Sequence, residues 1–318
     1  MKYPKRSQYK YAKSRYRVRN WAEYEAGLQK RGDVIVWLSD DALDSWRARP
    51  SGKPGGQRTY ADIAIEAALT IRMVFHLPLR QTEGFLRCLA ELFEIDLPIP
   101  DHTTLSRRLK TLRDIRFARL TTDRPVHLLI DSTGLRIHVG HMQKAPRNRA
   151  WRKLHLAVDA DTGEIVASDL TARRTHDCTQ VRALLQPIAD PVVSLSADGA
   201  YDAKSVYEAA HERGRGRAVR VLIPPGRNAQ LSPKPSAALR ERNRNIRSIR
   251  ALGRREWHQR SAYSKRSMVE NTVFRYKTII GRSMRSRTLA GQRVEVRLAS
   301  KVLNTMTRLG MPDSYRVA

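Results

Sequence analysis

The stretch "VHLLIDSTGLRIHVG", residues 126–140, separates two kinds of sequence pattern. Before it, apolar residues recur every three or four positions, as they do in helices. Within it, Val126–Ile130 form a compact apolar run that predicts a buried strand, and the extended pattern continues to Val139. After it, "WRKLHLAVDADTGEIVASDLT" (151–171) alternates in polarity on both sides of "DADTGE", which predicts a β-hairpin.

Helices and strands alternate after this hairpin. Helical patterns at 175–189 and 203–214 each precede a predicted strand, the first at Val192–Ser196 and the second at 217–225. Three strands followed by this alternation predict an α/β domain, a mixed five-stranded sheet flanked by helices, which we place at 121–318. The order matches a ribonuclease H-like fold, although other α/β folds share it.

Residues 1–120 are predicted to form an all-α, helix-turn-helix-like DNA-binding domain with a basic arm over residues 1–20. Two helical patterns, at 59–78 and 79–97, precede a turn and a shorter basic helix, the layout of a helix-turn-helix. That helix displays three cationic side chains: Arg107, Arg108 and Lys110. An ordinary helical bundle with a solvated basic face, preceded by a disordered tail, would show the same pattern.

The charge balance favours a polyanionic partner. The chain has 60 Lys and Arg against 31 Asp and Glu, a net charge of +29, and neutralising phosphates releases counterions. Nucleic acid is therefore the first candidate, and an Arg-rich protein without a polyanionic partner is the alternative. We expect no membrane partner, because neither an apolar run of spanning length nor a long basic amphipathic helix is evident. Two distant cysteines and no apolar leader favour a cytoplasmic location.

Three acids stand at positions where chemistry is expected. Asp131 ends one predicted buried strand, Asp198 follows another in "SADGAYD", and Glu270 lies on a later predicted helix. Carboxyl ends of strands gather at one edge of an open sheet, so the three carboxylates are expected to converge. Converging carboxylates repel one another, and hard divalent cations such as Mg²⁺ relieve that repulsion through oxygen ligands. Taken singly, each acid also fits a plain turn, cap or ion-pair role.

The stretch "AYSKRSMVENTVFRYKTIIGR" (262–282) surrounds Glu270 with cations. On one continuous helix, positions 263, 266, 270 and 277 would fall within an arc of roughly 60°. That face would combine the Glu270 carboxylate with Tyr263, Arg266 and Lys277, and Arg275 adds a further cation nearby. A carboxylate that holds a metal beside cations that hold phosphates suits metal-assisted chemistry on a phosphodiester. A structural ion-pair helix is the alternative.

The spacing Tyr263-x2-Arg266-x3-Glu270-x6-Lys277 resembles the signature of DDE transposases of bacterial insertion sequences. "IDSTG" and "ADGAYD" resemble the segments that carry the two catalytic aspartates in those enzymes. The basic "SRRLK" and the overall length are most similar to the insertion-sequence-five family. The resemblance covers essentially the whole chain.

The resemblance implies a ribonuclease H-like core in which Asp131, Asp198 and Glu270 bind two Mg²⁺ ions, with Mn²⁺ as a substitute. Phosphate contacts at the end of the transposon, which is double-stranded DNA, would come from Tyr263, Arg266 and Lys277. The implied reaction is hydrolysis at the terminal inverted repeats, followed by attack of the freed 3′-hydroxyl on target DNA. A homo-oligomer on DNA and a nucleoid-associated cytoplasmic location are also implied.

One segment departs from the pattern of some relatives. Between Asp198 and Glu270 lies an Arg-rich insertion, about 226–258, with no room for a large all-β domain. Trp257 is therefore only a candidate for the aromatic residue that receives a flipped base in such relatives. Two other classes of protein stay open: a ribonuclease H-like nuclease or resolvase that never joins ends, and a non-enzymatic helix-turn-helix protein with structural acids.

Overall fold

The computed structural model describes residues 15–50, 52, 54–112, 115, 124–137, 151–214 and 216–317. Most of the arm predicted at residues 1–20 lies outside these ranges, as does Val139. Within the described residues, no helix combines the length and apolar character needed to span a membrane.

A mixed sheet is the framework of the molecule. Its strands are β2 (Val126–Ile137), β3 (Trp151–Asp159), β4 (Ile165–Ala172), β5 (Val192–Ser196), β6 (Arg220–Leu222) and β7 (Ser283–Met284). Within the described residues the order is β4-β3-β2-β5-β6, with β7 alongside the far end of β2. β3 lies antiparallel to β2 and β4, whereas β5 runs parallel to β2 and β6.

This architecture confirms the predicted ribonuclease H-like α/β fold, with one strand more than the five expected. The additional strand is β7, which pairs Ser283 with Arg136 and Met284 with Ile137. Two residues are too few to show an alternating pattern, so the sequence alone gives no indication of β7. A separate two-stranded ribbon joins distant parts of the chain, since β1 (Arg15–Val18) pairs antiparallel with β8 (Ser314–Val317).

The helices fall into two groups. The first group precedes the sheet: α1 (Trp21–Lys30), α2 (Asp40–Asp44), α3 (Asp62–Val74), α4 (Leu79–Leu92) and α5 (His102–Arg108). The second group is interleaved with or follows the strands: α6 (Val181–Leu185), α7 (Lys204–Arg213), α8 (Ala237–Arg260), α9 (Ser267–Arg275) and α10 (Leu289–Leu309). The predicted third helix of the N-terminal region is confirmed as α5, which Asp101 caps by accepting hydrogen bonds from the amides of Thr103 and Thr104.

Alternation along β2 divides the core into two layers. Leu128 and Ile130 pack in one layer with α6 and α7, while Leu129 and Leu135 pack in the other with α9 and α10. Because successive side chains of a strand point to opposite faces, a single strand supplies both layers. β2 is buried from both sides for this reason, as its compact apolar run predicts.

α10 belongs to two cores at once. Val296, Ala299 and Leu303 pack in the layer beneath the sheet. Val294 and Leu298, on a neighbouring face of the same helix, complete the apolar core of α3, α4 and α5. The boundary predicted near residue 120 stays a prediction, but the helical region and the sheet share this helix.

The segment predicted as one helix over 262–282 is helical without being a regular α-helix. Tyr263–Arg266 form a 3₁₀ turn, α9 follows, and Tyr276–Ile280 form a π-helical turn. The predicted apolar stripe is confirmed, since Val269 and Tyr276 are buried and Val273 and Ile280 pack against the same core. Because the helical pitch changes, a helical wheel with 100° per residue does not give the positions of Tyr263 and Lys277 around the axis.

Candidate active site

Two parallel strands, β2 and β5, bring Asp131 and Asp198 to the same level of the sheet. Leu129 of β2 is paired with Ser196 of β5 in parallel register. Asp131 lies two residues beyond Leu129, and Asp198 lies two residues beyond Ser196. The parallel register therefore places the two aspartates side by side. Only Asp198 follows a strand end; the prediction that Asp131 ends its strand is wrong, because β2 continues past it to Ile137 in antiparallel pairing with β3.

Asp131 occupies a largely buried and negatively charged position. Its Oδ1 accepts a hydrogen bond from the Ser132 amide at 2.8 Å. Burial raises the pKa of Asp131 above its ordinary value, and the charges of Asp198 and Glu270 add to that rise, although the Ser132 amide and Arg266 oppose it. Asp198 and Glu270 are thus near enough for their charges to act on Asp131, as expected of carboxylates that share a cation site.

Asp198 has a local structural role as well. It stands at the N-terminus of the 3₁₀ turn Gly199–Tyr201, and its Oδ1 accepts a hydrogen bond from the Ala200 amide at 2.9 Å. This contact fixes the side-chain direction at the end of β5. The turn interpretation of Asp198 and the metal-ligand interpretation are therefore compatible, because one carboxylate oxygen remains uncommitted.

Arg266 links the strand carboxylates to α9. Its guanidinium pairs with Glu270 one turn along the helix and lies 4.0 Å from Oδ2 of Asp131. The Arg266 side chain is about one-fifth exposed, whereas that of Glu270 is more than half exposed. Arg266 thus supplies the positive charge between Asp131 on β2 and Glu270 on α9.

An aromatic cluster holds the start of this helical segment. The Tyr263 hydroxyl donates to the carbonyl of Ala197 at 3.2 Å, immediately before Asp198. Trp257 is 4% exposed and lies 5.4 Å from the Tyr263 ring, and His258 stacks on that ring at 4.7 Å. Trp257 therefore supports Tyr263 from the interior, and as placed it does not present its ring to solvent.

The remaining predicted DNA contacts lie in different surroundings. Lys277 is partly exposed in the π-helical turn. Arg275 points to α10, where it donates to the Thr307 hydroxyl at 3.0 Å, and burial lowers its pKa to about 10. The structure therefore groups Arg266 with the carboxylates and uses Arg275 to join two helices. Arg107, Arg108 and Lys110 belong to the α5 region, which packs on α3 and α4.

The donor set fits a hard divalent cation by its chemistry, since three carboxylates supply only oxygen ligands. Asp131 and Asp198 lie on adjacent parallel strands, and Arg266 lies near both Asp131 and Glu270. In the part of the chain that the structure describes, however, no group of three or more His, Cys, Asp or Glu side chains is arranged to hold a metal ion. The Arg266–Glu270 pair occupies the intervening position, so a cation held by all three acids requires Glu270 to leave Arg266.

Sequence reasoning missed three residues that adjoin this site. Tyr201 is buried within electrostatic reach of Asp177, Asp131 and Asp198, and Asp177 lies 3.7 Å from the buried His155. Tyr201 stands three residues after Asp198 in "ADGAYD", which was the available sequence indication. Asp177 and His155 have no such motif, because only the folded sheet brings them together.

Family comparisons agree with this geometry. Two family models, each described as a transposase DDE domain, match residues 29–140 and residues 122–305. The second match spans more than half of the chain and includes all three acids. Among solved structures, a cryo-EM structure of a piggyBac transposase synaptic complex with hairpin DNA is similar at 12% identity and a TM-score of 0.38, covering 92% of this chain and 76% of that one. A structural likeness at that level adds nothing to the assignment, but the family matches suffice: the chain belongs to the DDE transposases, a class of enzymes that cleave DNA and transfer its strands.

Proposed function

We propose that this protein binds the terminal inverted repeats of an insertion sequence, cleaves DNA there with Mg²⁺, and joins the 3′-hydroxyl ends to target DNA. The observation that supports this most is the placement of Asp131 and Asp198 side by side on adjacent parallel strands, with Glu270 linked to Asp131 through Arg266. The finer assignment to the insertion-sequence-five family rests on the sequence resemblance, and so does action as a homo-oligomer on paired ends.

In this proposal the three acids hold the divalent ions. When bound, two such ions activate the attacking oxygen and stabilise the leaving oxygen of an in-line displacement at phosphorus. Asp131 and Asp198 provide carboxylates fixed by the Ser132 and Ala200 amides, and Glu270 provides a mobile one. Arg266, once released from Glu270, binds a phosphate oxygen of the DNA end beside the cut.

Strand transfer separates this function from that of a nuclease that cuts without joining. The assay uses the DNA that flanks the gene as the source of the end sequence, supplied uncut and with a pre-cut 3′-hydroxyl. We expect Mg²⁺-dependent cleavage of the first substrate and joining of the second to a target plasmid. Cleavage without any joining would assign the protein to the nucleases, and the absence of both reactions would refute the proposal.

Loss of any one of the three carboxylates should abolish both reactions. Asp131→Ala, Asp198→Ala and Glu270→Ala should each lower the cleavage rate by on the order of 10³-fold or more, because each removes several kcal/mol of metal-mediated stabilisation. Folding should survive, since removing one carboxylate relieves repulsion. Asp161→Ala is the matched control: that acid lies in the β3–β4 turn and pairs with Lys265. Near-normal cleavage by any of the three variants would remove that residue from the site.

The cations of the site should be visible in the salt dependence of DNA binding. Arg266→Ala and Lys277→Ala should each lower the slope of log affinity against log salt by about one unit, as expected for one lost phosphate contact. Arg266→Lys should recover part of the affinity, because a point charge cannot reproduce a bidentate guanidinium. Titrations across a salt series measure this, and unchanged slopes would mean that neither side chain contacts a phosphate.

A further inference from the structure

Three buried polar atoms behind β2 have no hydrogen-bond partner in the part of the chain that the structure describes. They are Nδ1 of His155, Oδ1 of Asp177 and the hydroxyl of Tyr201. Buried polar groups are almost always paired, so each exception needs an explanation, and a catalytic role is one of the recognised ones. Here three exceptions occur in one place, next to the proposed active site.

The register of the sheet places these groups directly behind Asp131. Ser132 follows Asp131 and so points to the opposite face of β2, where His155 of β3 is its paired neighbour. Nε2 of His155 lies 2.8 Å from the Thr171 hydroxyl, and Nδ1 lies 3.7 Å from Oδ1 of Asp177. Burial lowers the pKa of His155, so the ring is neutral and orients Asp177 without adding a charge.

Asp177 is held in place by a second contact. The Lys153 ammonium lies 3.0 Å from Oδ1 of Asp177 and donates to the carbonyl of Thr175 at 2.8 Å. The ammonium is therefore close to an oxygen that lacks a well-directed hydrogen bond, so the contact is an ion pair and leaves Oδ1 able to accept. The turn Asp177–Gln180 packs against the turn Gly199–Tyr201, which brings Tyr201 to this carboxylate.

Tyr201 connects β2 with the turn that follows β5. Its amide donates to the carbonyl of Asp198 at 3.1 Å, and its side chain adjoins Ser132, whose own amide holds the carboxylate of Asp131. Burial, together with the charges of Asp177, Asp131 and Asp198, raises the pKa of Tyr201, so the phenol stays a hydrogen-bond donor. It is 1% exposed and therefore does not reach DNA.

We propose that Tyr201, oriented by Asp177 and His155, is a positioning residue that fixes Asp131 and Asp198 for metal binding. Its phenol adjoins Ser132 within β2, and its backbone closes the turn that Asp198 begins after β5. Groups that contact a metal ligand from behind orient that ligand. The buried polar atoms are then explained by this alignment of Asp131 and Asp198. The inference rests on the proposed function. It adds Tyr201, Asp177 and His155, to which the proposed function assigns no role.

The test substitutes one hydroxyl and follows two properties that a structural role would move together. Tyr201→Phe keeps the buried ring and removes only the unpaired hydroxyl. We expect a melting temperature close to that of the wild type, because the buried ring is kept and only the contact of the hydroxyl with Ser132 is lost. We also expect Mn²⁺ affinity, followed by electron paramagnetic resonance on the full chain, to fall by about 10- to 100-fold, with a similar fall in cleavage rate.

Tyr207→Phe is the matched control. Tyr207 is equally buried, but its hydroxyl donates to Oδ1 of Asp202 at 3.0 Å. We expect this variant to lose stability and to keep the wild-type Mn²⁺ affinity and cleavage rate. Asp177→Asn should reproduce the defect of Tyr201→Phe, and the double variant should be no worse than either single one, since residues that act as a unit are not additive.

Wild-type metal affinity and cleavage in Tyr201→Phe would overturn the inference. If the wild type cleaves, Asp131→Ala does not, and Tyr201→Phe equals wild type, the proposed function stands and the positioning role falls. If the wild type neither binds Mn²⁺ nor cleaves, both fall together.

Discussion

The two basic helices α5 and α8 use their arginines differently. Arginines of α8 donate to backbone carbonyls of the preceding segment: Arg242 to Gln230 at 2.9 Å, Arg250 to Ala229 at 3.0 Å, and Arg254 to Pro225. In α5, only Arg108 is used in this way, donating to the carbonyl of Tyr60 at 3.0 Å. Its neighbours Arg107 and Lys110 are exposed. A count of arginines therefore does not distinguish a DNA-contacting helix from one whose cations secure the fold.

The largest effect on stability should come from Arg242. Its guanidinium holds Asp202 through two bonds of 2.9 and 3.1 Å, and both side chains are mostly buried. Arg242→Ala should cost roughly 3 kcal/mol in the free energy of unfolding, because it leaves a buried carboxylate uncompensated. Arg240→Ala, on the exposed face of the same helix, should change it by less than about 0.5 kcal/mol. Denaturant midpoints measure both, and equal midpoints would erase the distinction between anchoring and outward arginines.

Neighbouring arginines of α5 should separate binding from stability. Arg107→Ala should weaken binding to the element's end by about 1–3 kcal/mol without changing the free energy of unfolding. Arg108→Ala should instead cost about 1–2 kcal/mol of stability, since its guanidinium also pairs with Asp62. Full-length protein is needed, because α10 completes the core under α5. If both variants lose the same DNA affinity and neither changes the free energy of unfolding, Arg108 contacts DNA as Arg107 does.

The smallest effect concerns the cap of α5. Hydrogen bonds from the hydroxyls of Thr103 and Thr104, and from the Thr104 amide, hold the pKa of Asp101 well below its usual range. Asp101→Ala should cost about 1 kcal/mol at neutral pH. Because the pKa of Asp101 is lower in the folded state, its ionised form stabilises the fold at pH values above its unfolded-state pKa of roughly 4. That contribution is lost as the pH falls through the folded-state pKa. Melting curves at pH 7 and pH 3 should show the difference between variant and wild type shrinking in acid, and a constant difference would contradict this.

Much of the sheet was predictable because its strands have local patterns. The apolar run of β2, the alternation of β3 and β4, and the runs before Asp198 and Pro224 each occur within a few residues. The short pairings were not predictable, because β1 with β8 and β7 with β2 involve two to four residues from distant parts of the chain. Such contacts depend on the assembled fold rather than on local periodicity.

The candidate site was predictable to the same extent. Asp131 lies within β2 and Asp198 follows β5, and both strands have recognisable apolar runs, so the convergence of the two acids could be expected. The apolar run before Asp131 predicted a strand end there, because the polar residues that continue β2 do not stand out as part of a buried strand. The shared face predicted for the helical segment 262–282 could not be predicted correctly, because the 3₁₀ and π turns change the angular positions of Tyr263 and Lys277. Arg275 illustrates the same limit: sequence proximity grouped it with Glu270, while its burial against α10 depends on tertiary packing.

The double membership of α10 has a consequence for biosynthesis. Residues of α3, α4 and α5 cannot close their core until α10 is available, and α10 begins at Leu289 while α5 ends at Arg108. Translation of the roughly 180 intervening residues takes about 10–40 s at ~5–20 residues per second. During that interval the nascent helical region exposes the apolar surface against which Val294 and Leu298 later pack. The helical region and the catalytic sheet therefore reach their final form in the same late step of folding.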